Sequence, residues 1–344
     1  MGKRDAFKIN GSEFKPGERG TVEVSVGTLS DHTPVDLAVH VVHGRRPGPV
    51  LFVSAAIHGD EVIGVEIVRR LLKAKPLGSM AGTLLAVPIV NGFGFYNHSR
   101  YLPDRRDLNR CFPGGPTGSM ASRLAHIFMQ EVVLRSDVGI DLHSAAIHRT
   151  NLPQIRLTPG NPKLQTLGEA FGAPVMMASK LREGSLRMAA EEQGVSVLLY
   201  EGGEGLRLDE LTARAGVSGI LRVMHALGMI GAKAAPKVRN KTVFAGNSSW
   251  YRAPVAGIFR GYVGIGEAVE TGDVLGSVSD PLGEDEQEVV CEQRGIVIGR
   301  SNMPAVYEGE ALFHIAETPN ADTAAEGVAA QLDAGPLFDE DEII

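Results

Sequence analysis

The chain has 344 residues with a formal net charge of −7, and 43% of its residues are hydrophobic. This composition is typical of a folded globular protein of about two domains, and it contains no apolar run of the roughly 18 residues that a membrane helix needs. The first residues lack the apolar core of a secretory signal, and two cysteines are too few for a disulfide framework, so a cytoplasmic protein is expected.

Apolar runs alternate with helical periodicity up to about residue 235. The predicted strands are 50–57, 83–90, 138–142, 174–177 and 195–200. The predicted helices are 62–75, 119–135, 162–172, 185–193 and 206–228. This alternation predicts an α/β domain, over residues 1–236, with helices on both faces of its sheet.

The pattern changes beyond residue 236. Short apolar runs separated by glycines predict a small all-β domain at 237–316, and an internal repeat within it resembles the barrel-sandwich hammerhead of biotinyl and lipoyl carrier domains. A carrier function is rejected because no lysine follows Lys241 to bear the prosthetic group. Residues 317–344 hold eight acidic residues without Lys or Arg, which predicts a solvated acidic tail.

Three candidate metal ligands lie at the ends of predicted strands. His58 and Glu61 follow the first of these strands, and His143 ends another one. Two histidines and a carboxylate form a zinc site with one open position, and these donors suit zinc better than Mg²⁺. Open α/β sheets place ligand sites at strand ends, which favours a catalytic zinc over a buried core histidine or a surface pair.

Two further segments carry residues suited to substrate binding and catalysis. Asn109 and Arg110, in the run that begins at Asp107, can bind a carboxylate, although a surface salt bridge is the commoner role of a single arginine. Glu201 and Glu204 follow a predicted strand, and either can act as a general base. Glu201 is preferred because two glycines separate Glu204 from the strand.

Together, these motifs resemble those of the succinylglutamate desuccinylase/aspartoacylase family, a branch of the zinc carboxypeptidase superfamily. The resemblance extends over roughly residues 45–316. It implies a three-layer zinc-carboxypeptidase-like α/β domain with a mixed central sheet. It also implies that the small all-β, barrel-sandwich-like C-terminal domain caps the active site.

The resemblance assigns a role to each residue of the metal site. It implies one zinc ion per chain, with His58, Glu61 and His143 as the ligands. Asp107 would orient the imidazole of His58, and Glu201 would be the general base.

The resemblance also implies residues that contact the substrate. Asn109 and Arg110 would bind its carboxylate. Arg100 would polarise the scissile carbonyl, with Arg105 as the competing candidate. Arg187 would bind substrate. Tyr307 of the β domain would also reach the active site, although a position in the core of that domain is the alternative.

The expected activity is therefore hydrolysis of the amide bond of a small N-acyl amino acid, or a related acylated amine, by a zinc-dependent deacylase. A zinc metallocarboxypeptidase that acts on peptides is the alternative. A zinc-dependent binding protein without catalysis is disfavoured because a plausible base is present. The expected partner is a small-molecule N-acyl substrate, and a homo-oligomer is compatible with the sequence. Without a basic patch, neither nucleic acid nor a membrane is expected.

Overall fold

The computed structural model describes residues 4–238 and 241–332. Its strands are β1 (Phe7–Ile9), β2 (Ser12–Phe14), β3 (Arg19–Thr28), β4 (Pro34–His43), β5 (Arg46–Ala55), β6 (Ala81–Val87), β7 (Val138–His143), β8 (Arg149–Leu157), β9 (Val175–Ala178), β10 (Ser196–Gly203), β11 (Val243–Ala245), β12 (Asn247–Arg252), β13 (Gly257–Gly261), β14 (Ala268–Val269), β15 (Val274–Ser279), β16 (Glu286–Val290), β17 (Gly295–Ser301), β18 (Ala305–Val306) and β19 (Ala311–Glu317). Its α-helices are α1 (Ile63–Lys73), α2 (Gly92–Tyr96), α3 (Met120–Glu131), α4 (Pro162–Phe171), α5 (Leu186–Glu192), α6 (Glu210–Ala226) and α7 (Ala321–Leu332).

A mixed sheet forms the centre of the molecule, with the strand order β3-β4-β6-β5-β7-β10-β8. Strands β6, β5, β7 and β10 are parallel. Strand β4 runs antiparallel to both β3 and β6, and β8 runs antiparallel to β10. Every residue of β6 and β7 is buried, which explains why parallel strands of this kind are visible as continuous apolar runs. The mixed sheet confirms the predicted mixed α/β class.

Helices cover both faces of this sheet. On one face, α1, α4 and α6 pack through a core that includes Ile67, Phe171 and Val217. On the other face, α3 and α5 contribute Phe128 and Leu186 to a second core. The protein therefore has three layers in this part, and the ends of the parallel strands remain open between the helices.

Three strands of the central sheet are not among those predicted from apolar runs. In β3, only every second residue from Val22 to Val26 is buried, as in a strand at the sheet edge. The antiparallel neighbour β4 alternates in the same way at its start. Strand β8 is mostly buried although it carries Asn151, Gln154 and Arg156, so polar residues interrupt its apolar pattern.

The sheet forks at β8. Residues 149–151 pair with β17 in antiparallel register, with Asn151 opposite Gly299. Residues 154–157 of the same strand edge pair with β9 in parallel register. Strand β17 continues to β19 and β12, so strands from the end of the chain extend the sheet that begins in its first half.

Residues 243–317, called the C-terminal β region below, contain the strands β11 to β19. Besides the strands that join the central sheet, this region contains a second sheet in the order β16-β15-β13-β18. The two groups of strands enclose their own core, which includes Phe259, Leu275 and Phe313. The domain boundary predicted at residue 236 lies between α6 and β11.

The last helix differs from the solvated tail expected after residue 316. Within α7, Ala321, Ala324 and Val328 are buried, and the helix contacts β14 and β17. Small apolar residues at helical spacing thus anchor a segment whose acidic composition resembles that of a tail. The rest of the predicted tail, residues 333–344, lies outside the described residues. Among the described helices, none combines the length and apolarity needed to cross a membrane.

Candidate active site

The turn between β5 and α1 brings two of the predicted ligands together. The backbone N–H of Glu61 donates to the carbonyl of His58 over 3.1 Å, which closes the turn. As a result, Nδ1 of His58 lies 2.6 Å from Oε1 of Glu61, and both side chains are buried. The turn by itself therefore brings these two side chains together.

His143 completes the cluster from the end of the neighbouring strand. Strands β5 and β7 are parallel, so their carboxyl ends lie at the same edge of the sheet. Nδ1 of His143 lies 2.7 Å from Oε2 of Glu61. The potential ligand atoms of the three residues all lie within 4.8 Å of one another, as a single metal ion requires.

A second carboxylate contacts the far side of each imidazole. Nε2 of His58 lies 3.1 Å from Asp107, and Nε2 of His143 lies 2.7 Å from Asp141. Asp141 also accepts a hydrogen bond from the hydroxyl of Ser54 over 2.7 Å. Such contacts fix the tautomer that leaves Nδ1 available to a metal. The donor set therefore fits a zinc site, and Asp107 lies where it was expected.

Electrostatic coupling between neighbouring groups shifts the pKa values in this cluster. Burial by itself would raise the pKa of Glu61, but the adjacent His58 and His143 outweigh burial and hold that pKa well below its usual range. Burial by itself would lower the pKa of His143, yet Asp141 and Glu61 raise it well above the ordinary value. Buried charges are thus compensated pairwise, as their burial requires.

Arg100 lies beside the cluster. Burial alone would lower the pKa of Arg100, but Asp107 and Glu61 raise it. Asp107 accepts hydrogen bonds from Nε and one terminal nitrogen of Arg100, over 3.2 and 2.9 Å. The other terminal nitrogen lies 3.3 Å from Nδ1 of His58. Arg105, the competing candidate, is exposed and is not among the residues around the cavity described next.

A cavity of about 300 Å³ opens over the cluster. Its lining combines His58, Glu61 and His143 with Glu201 and an unusual number of arginines. The arginines around it are Arg100, Arg110, Arg149, Arg156, Arg182 and Arg187. Six guanidinium groups against two lining carboxylates make the cavity strongly cationic, which favours an anionic ligand.

The loop with Asn109 and Arg110 is docked against the start of α5. The side-chain oxygen of Asn109 accepts a hydrogen bond from the backbone of Leu186 over 2.9 Å. Gly184 has a φ of +72°, and a Cβ there would lie 2.4 Å from the carbonyl oxygen of Arg110. Glycine at this position therefore permits the close approach that brings Asn109 and Arg110 to the cavity.

Arg187 occupies the first turn of α5, which begins after the capping hydroxyl of Ser185. One terminal nitrogen of Arg187 donates to Ser179 over 3.3 Å, while the other is buried without a hydrogen-bond partner in the described part of the chain. Burial, together with the nearby charge of Arg156, lowers the pKa of Arg187 to about 10. A buried, incompletely paired guanidinium of this kind is a ready anion site.

The two candidate bases lie in different surroundings. Glu201 lines the cavity, where its carboxylate accepts a hydrogen bond from Asn151 over 2.7 Å and lies 3.3 Å from Arg156. Glu204 is outside the cavity lining, and its carboxylate accepts hydrogen bonds from the backbone of His148 and the side chain of Asn302. The structure thus places Glu201, but not Glu204, in the same cavity as the cluster of His58, Glu61 and His143.

The C-terminal β region reaches the cavity through a different aromatic residue from the one expected. Tyr307 is 80% exposed and does not line the cavity. Trp250 on β12 does, with its ring stacked on His314 at 4.3 Å and with Arg149 5.5 Å from the ring centre.

Sequence reasoning also missed several cavity residues contributed by β8. Arg149, Asn151 and Arg156 all lie on this strand. Arg149 and Asn151 are alternate positions and share one face, so their polar side chains were an available signal. Arg156 reaches the same cavity beyond the irregularity in the pairing of β8 with β10.

Comparisons with known proteins support one family. Residues 47–227 match the model of the succinylglutamate desuccinylase/aspartoacylase catalytic domain. The N-alpha-acetyl-L-2,4-diaminobutyric acid deacetylase of Halomonas elongata is 28% identical over 288 residues, which cover 79% of this chain and 83% of the relative.

Solved structures share the fold. A succinylglutamate desuccinylase/aspartoacylase from Rhodobacter sphaeroides aligns with a TM-score of 0.77 at 24% identity, over 87% of this chain and 94% of its own. The product-bound ectoine utilization protein EutE (DoeB) from Ruegeria pomeroyi also aligns with a TM-score of 0.77, at 23% identity, over 92% of this chain and 96% of its own. At these identities the likeness concerns the fold.

Proposed function

Because the chain belongs to the succinylglutamate desuccinylase/aspartoacylase family, we propose that it is a zinc-dependent deacylase that hydrolyses the amide bond of a small N-acyl amino acid. One observation carries the proposal: the buried cluster of His58, Glu61 and His143 opens into the same cationic cavity as Glu201. The name of the Halomonas relative, an N-acetyl amino acid deacetylase, supports this reaction class.

The metal expected in this cluster is zinc. Two imidazoles and one carboxylate, each imidazole backed by a further carboxylate, match the usual donor set of a catalytic zinc and leave a position open. When bound, zinc supplies a Lewis acid that activates water near neutral pH.

The chain's own residues supply the remaining chemistry. Glu201 would take the proton of the attacking water and deliver it to the leaving amine. Arg100, which is held by Asp107 with one terminal nitrogen beside the cluster, would stabilise the negative charge that develops on the acyl oxygen. Asn109 and Arg110 would hold the substrate carboxylate, so that the amide lies between Arg100 and Glu201.

The arginines favour a substrate with two anionic groups. Arg110 provides for one carboxylate, and Arg187, with an unpartnered nitrogen among the described residues, provides for another. The second anion would belong either to the acyl group or to the amino-acid side chain. A cavity of about 300 Å³ accommodates such a molecule more readily than a peptide, which disfavours the carboxypeptidase alternative.

A substrate panel with the zinc-loaded protein tests the proposal. Acetyl and succinyl derivatives of aspartate and glutamate would be compared with acetyl-alanine, acetyl-lysine and N-blocked dipeptides, by measuring the amine released. We expect these four derivatives, each of which carries at least two carboxylates, to be hydrolysed at least about tenfold faster, in kcat/KM, than the others. Preferred release of the last residue from blocked dipeptides would instead support a carboxypeptidase.

A further inference from the structure

The carboxylate of Glu201 is held by strand β8. Asn151 donates its side-chain N–H to Oε2 of Glu201 over 2.7 Å, and Arg156 lies 3.3 Å from Oε1. Asn151 is buried, with 7% of its surface exposed, and its hydrogen bond to Glu201 lies at the wall of the cavity. The pairing of β8 with β10 changes register between Glu201 and Gly203, so regular strand pairing alone does not fix the backbone beside Glu201.

The other edge of Asn151 faces the C-terminal β region. Gly299 of β17 is its pairing partner in the sheet. A Cβ added at Gly299 would lie 3.0 Å from Oδ1 of Asn151 and 3.0 Å from Cβ of His314. Distances this short require a neighbour to move, so the absence of a side chain at Gly299 leaves the space that the amide of Asn151 occupies.

We infer that Asn151 is a positioning residue for Glu201, and that Gly299 of the C-terminal β region keeps Asn151 in place. The inference rests on the proposed role of Glu201 as the base. It gives the C-terminal β region a part in catalysis beyond covering the cavity, because that region acts on the base through a single amide. A displacement of about 1 Å is enough to cost two orders of magnitude in rate.

Two variants of Asn151 separate positioning from packing. Asn151→Asp keeps the size of the side chain but replaces the donating N–H with an anionic oxygen that faces Glu201. We expect kcat to fall about 10- to 100-fold, with KM changed less than about threefold and metal content unchanged. Asn151→Ala should lose a comparable factor. An Asp variant with nearly full kcat, or a loss confined to KM, would overturn the inference.

A double-mutant cycle tests the connection to β17. Gly299→Ala should lower kcat about 3- to 30-fold in the wild type. It should cost much less in the Asn151→Ala background, where Oδ1 of Asn151 is gone and only Cβ of His314, which is not among the residues that line the cavity, remains close to the new methyl group. Gly246→Ala is the matched control in the same region, because its Cβ would meet nothing closer than a ring carbon of Phe244 at 4.0 Å. If the double variant loses kcat by the product of the two single-variant factors, the proposed route through Asn151 is wrong.

Crystal structures of the wild type and Asn151→Ala provide a test that needs no turnover. We expect the carboxylate of Glu201 to leave its wild-type position in the variant, and an unmoved carboxylate would overturn the positioning inference. Displacement of Glu201 in a protein without deacylase activity would support the inference and reject the proposed function. The two ideas can therefore fail separately.

Discussion

Nε2 of His143 lies 2.7 Å from the carboxylate of Asp141, two residues earlier on the same strand. Residues i and i+2 of a strand point to the same face, so β7 supplies both a proposed metal ligand and the group that orients it. The hydroxyl of Ser54 on the parallel neighbour β5 holds Asp141 from the other side. The orientation of His143 is therefore set by the sheet itself.

Asp141→Asn tests this arrangement. The amide has the size of the carboxylate but cannot stabilise the same imidazole tautomer as strongly, so zinc affinity should fall roughly 10- to 100-fold. Competition with a fluorescent zinc chelator measures the change. Asp137→Asn, on the loop before the same strand, is the control and should bind zinc like the wild type.

Removing a proposed ligand should remove the metal. His58→Ala and His143→Ala should each contain well below 0.1 zinc per chain by elemental analysis, against about one in the wild type, because two ligands rarely retain a catalytic zinc. Dipicolinate should abolish the activity of the wild type. Near-full zinc occupancy in both variants would exclude these residues from the site.

Glu201→Gln and Glu204→Gln form a matched pair. The first removes only the proton acceptor in the cavity, so kcat should fall about 10²- to 10⁴-fold with zinc content unchanged. The second weakens contacts to His148 and Asn302 outside the cavity, so kcat should stay within about threefold. If Glu204→Gln is inactive and Glu201→Gln keeps most of its activity, Glu204 is the general base.

Arg110 and Arg187 should differ in substrate dependence. Arg110→Ala should lower kcat/KM for every N-acyl amino acid by about 30-fold, or roughly 2 kcal/mol, because all of them carry the α-carboxylate. Arg187→Ala should do so only for substrates with a second anionic group. Equal losses for acetyl-alanine and acetyl-aspartate in the Arg187 variant would contradict a second anion site.

A surface ion-pair network on α1 makes a pH-dependent contribution to stability. Hydrogen bonds from Arg69, together with those from Arg70, lower the pKa of Glu66 from 4.5 to about 2. A carboxyl group whose pKa is lower in the folded state stabilises the fold at any pH above its pKa in the unfolded chain. That contribution is lost as the pH falls from about 4.5 to about 2.

Glu66→Gln should therefore destabilise the protein by roughly 1 kcal/mol at pH 7, with the difference from wild type vanishing by about pH 2. Urea unfolding at a series of pH values measures it, with the exposed Glu308→Gln as a control that should change little. A difference that persists unchanged at low pH would contradict an ion-pair origin.

The sequence predicts the parallel centre of the sheet and its helices well, because buried parallel strands are continuous apolar runs and the helices carry clear amphipathic spacing. The His58, Glu61 and His143 cluster could be predicted for the same reason, since these residues end or closely follow such runs. Strand β8 could not be predicted as a strand, because Asn151 and Arg156 face the cavity and break its apolar pattern.

The position of Trp250 at the cavity could not be predicted from the sequence for another reason. Its contact with the cavity depends on β12 lying beside β19, a long-range pairing that no local pattern specifies. Tyr307, expected at the cavity from family resemblance, is instead exposed on the short segment after β18. The order of the strands therefore determines which aromatic residue of the C-terminal β region contacts the cavity.

The fork of the sheet at β8 limits how the chain can be divided. A fragment that ends at residue 227, where the match to the catalytic family model stops, would retain Glu201 but lack β17. Residues 149–151 would then expose an unpaired strand edge, which is a template for aggregation. Recombinant expression of the catalytic segment alone should thus give insoluble material, and gene fusions or domain exchanges would have to carry residues 19–332, from β3 to the end of α7, as one piece.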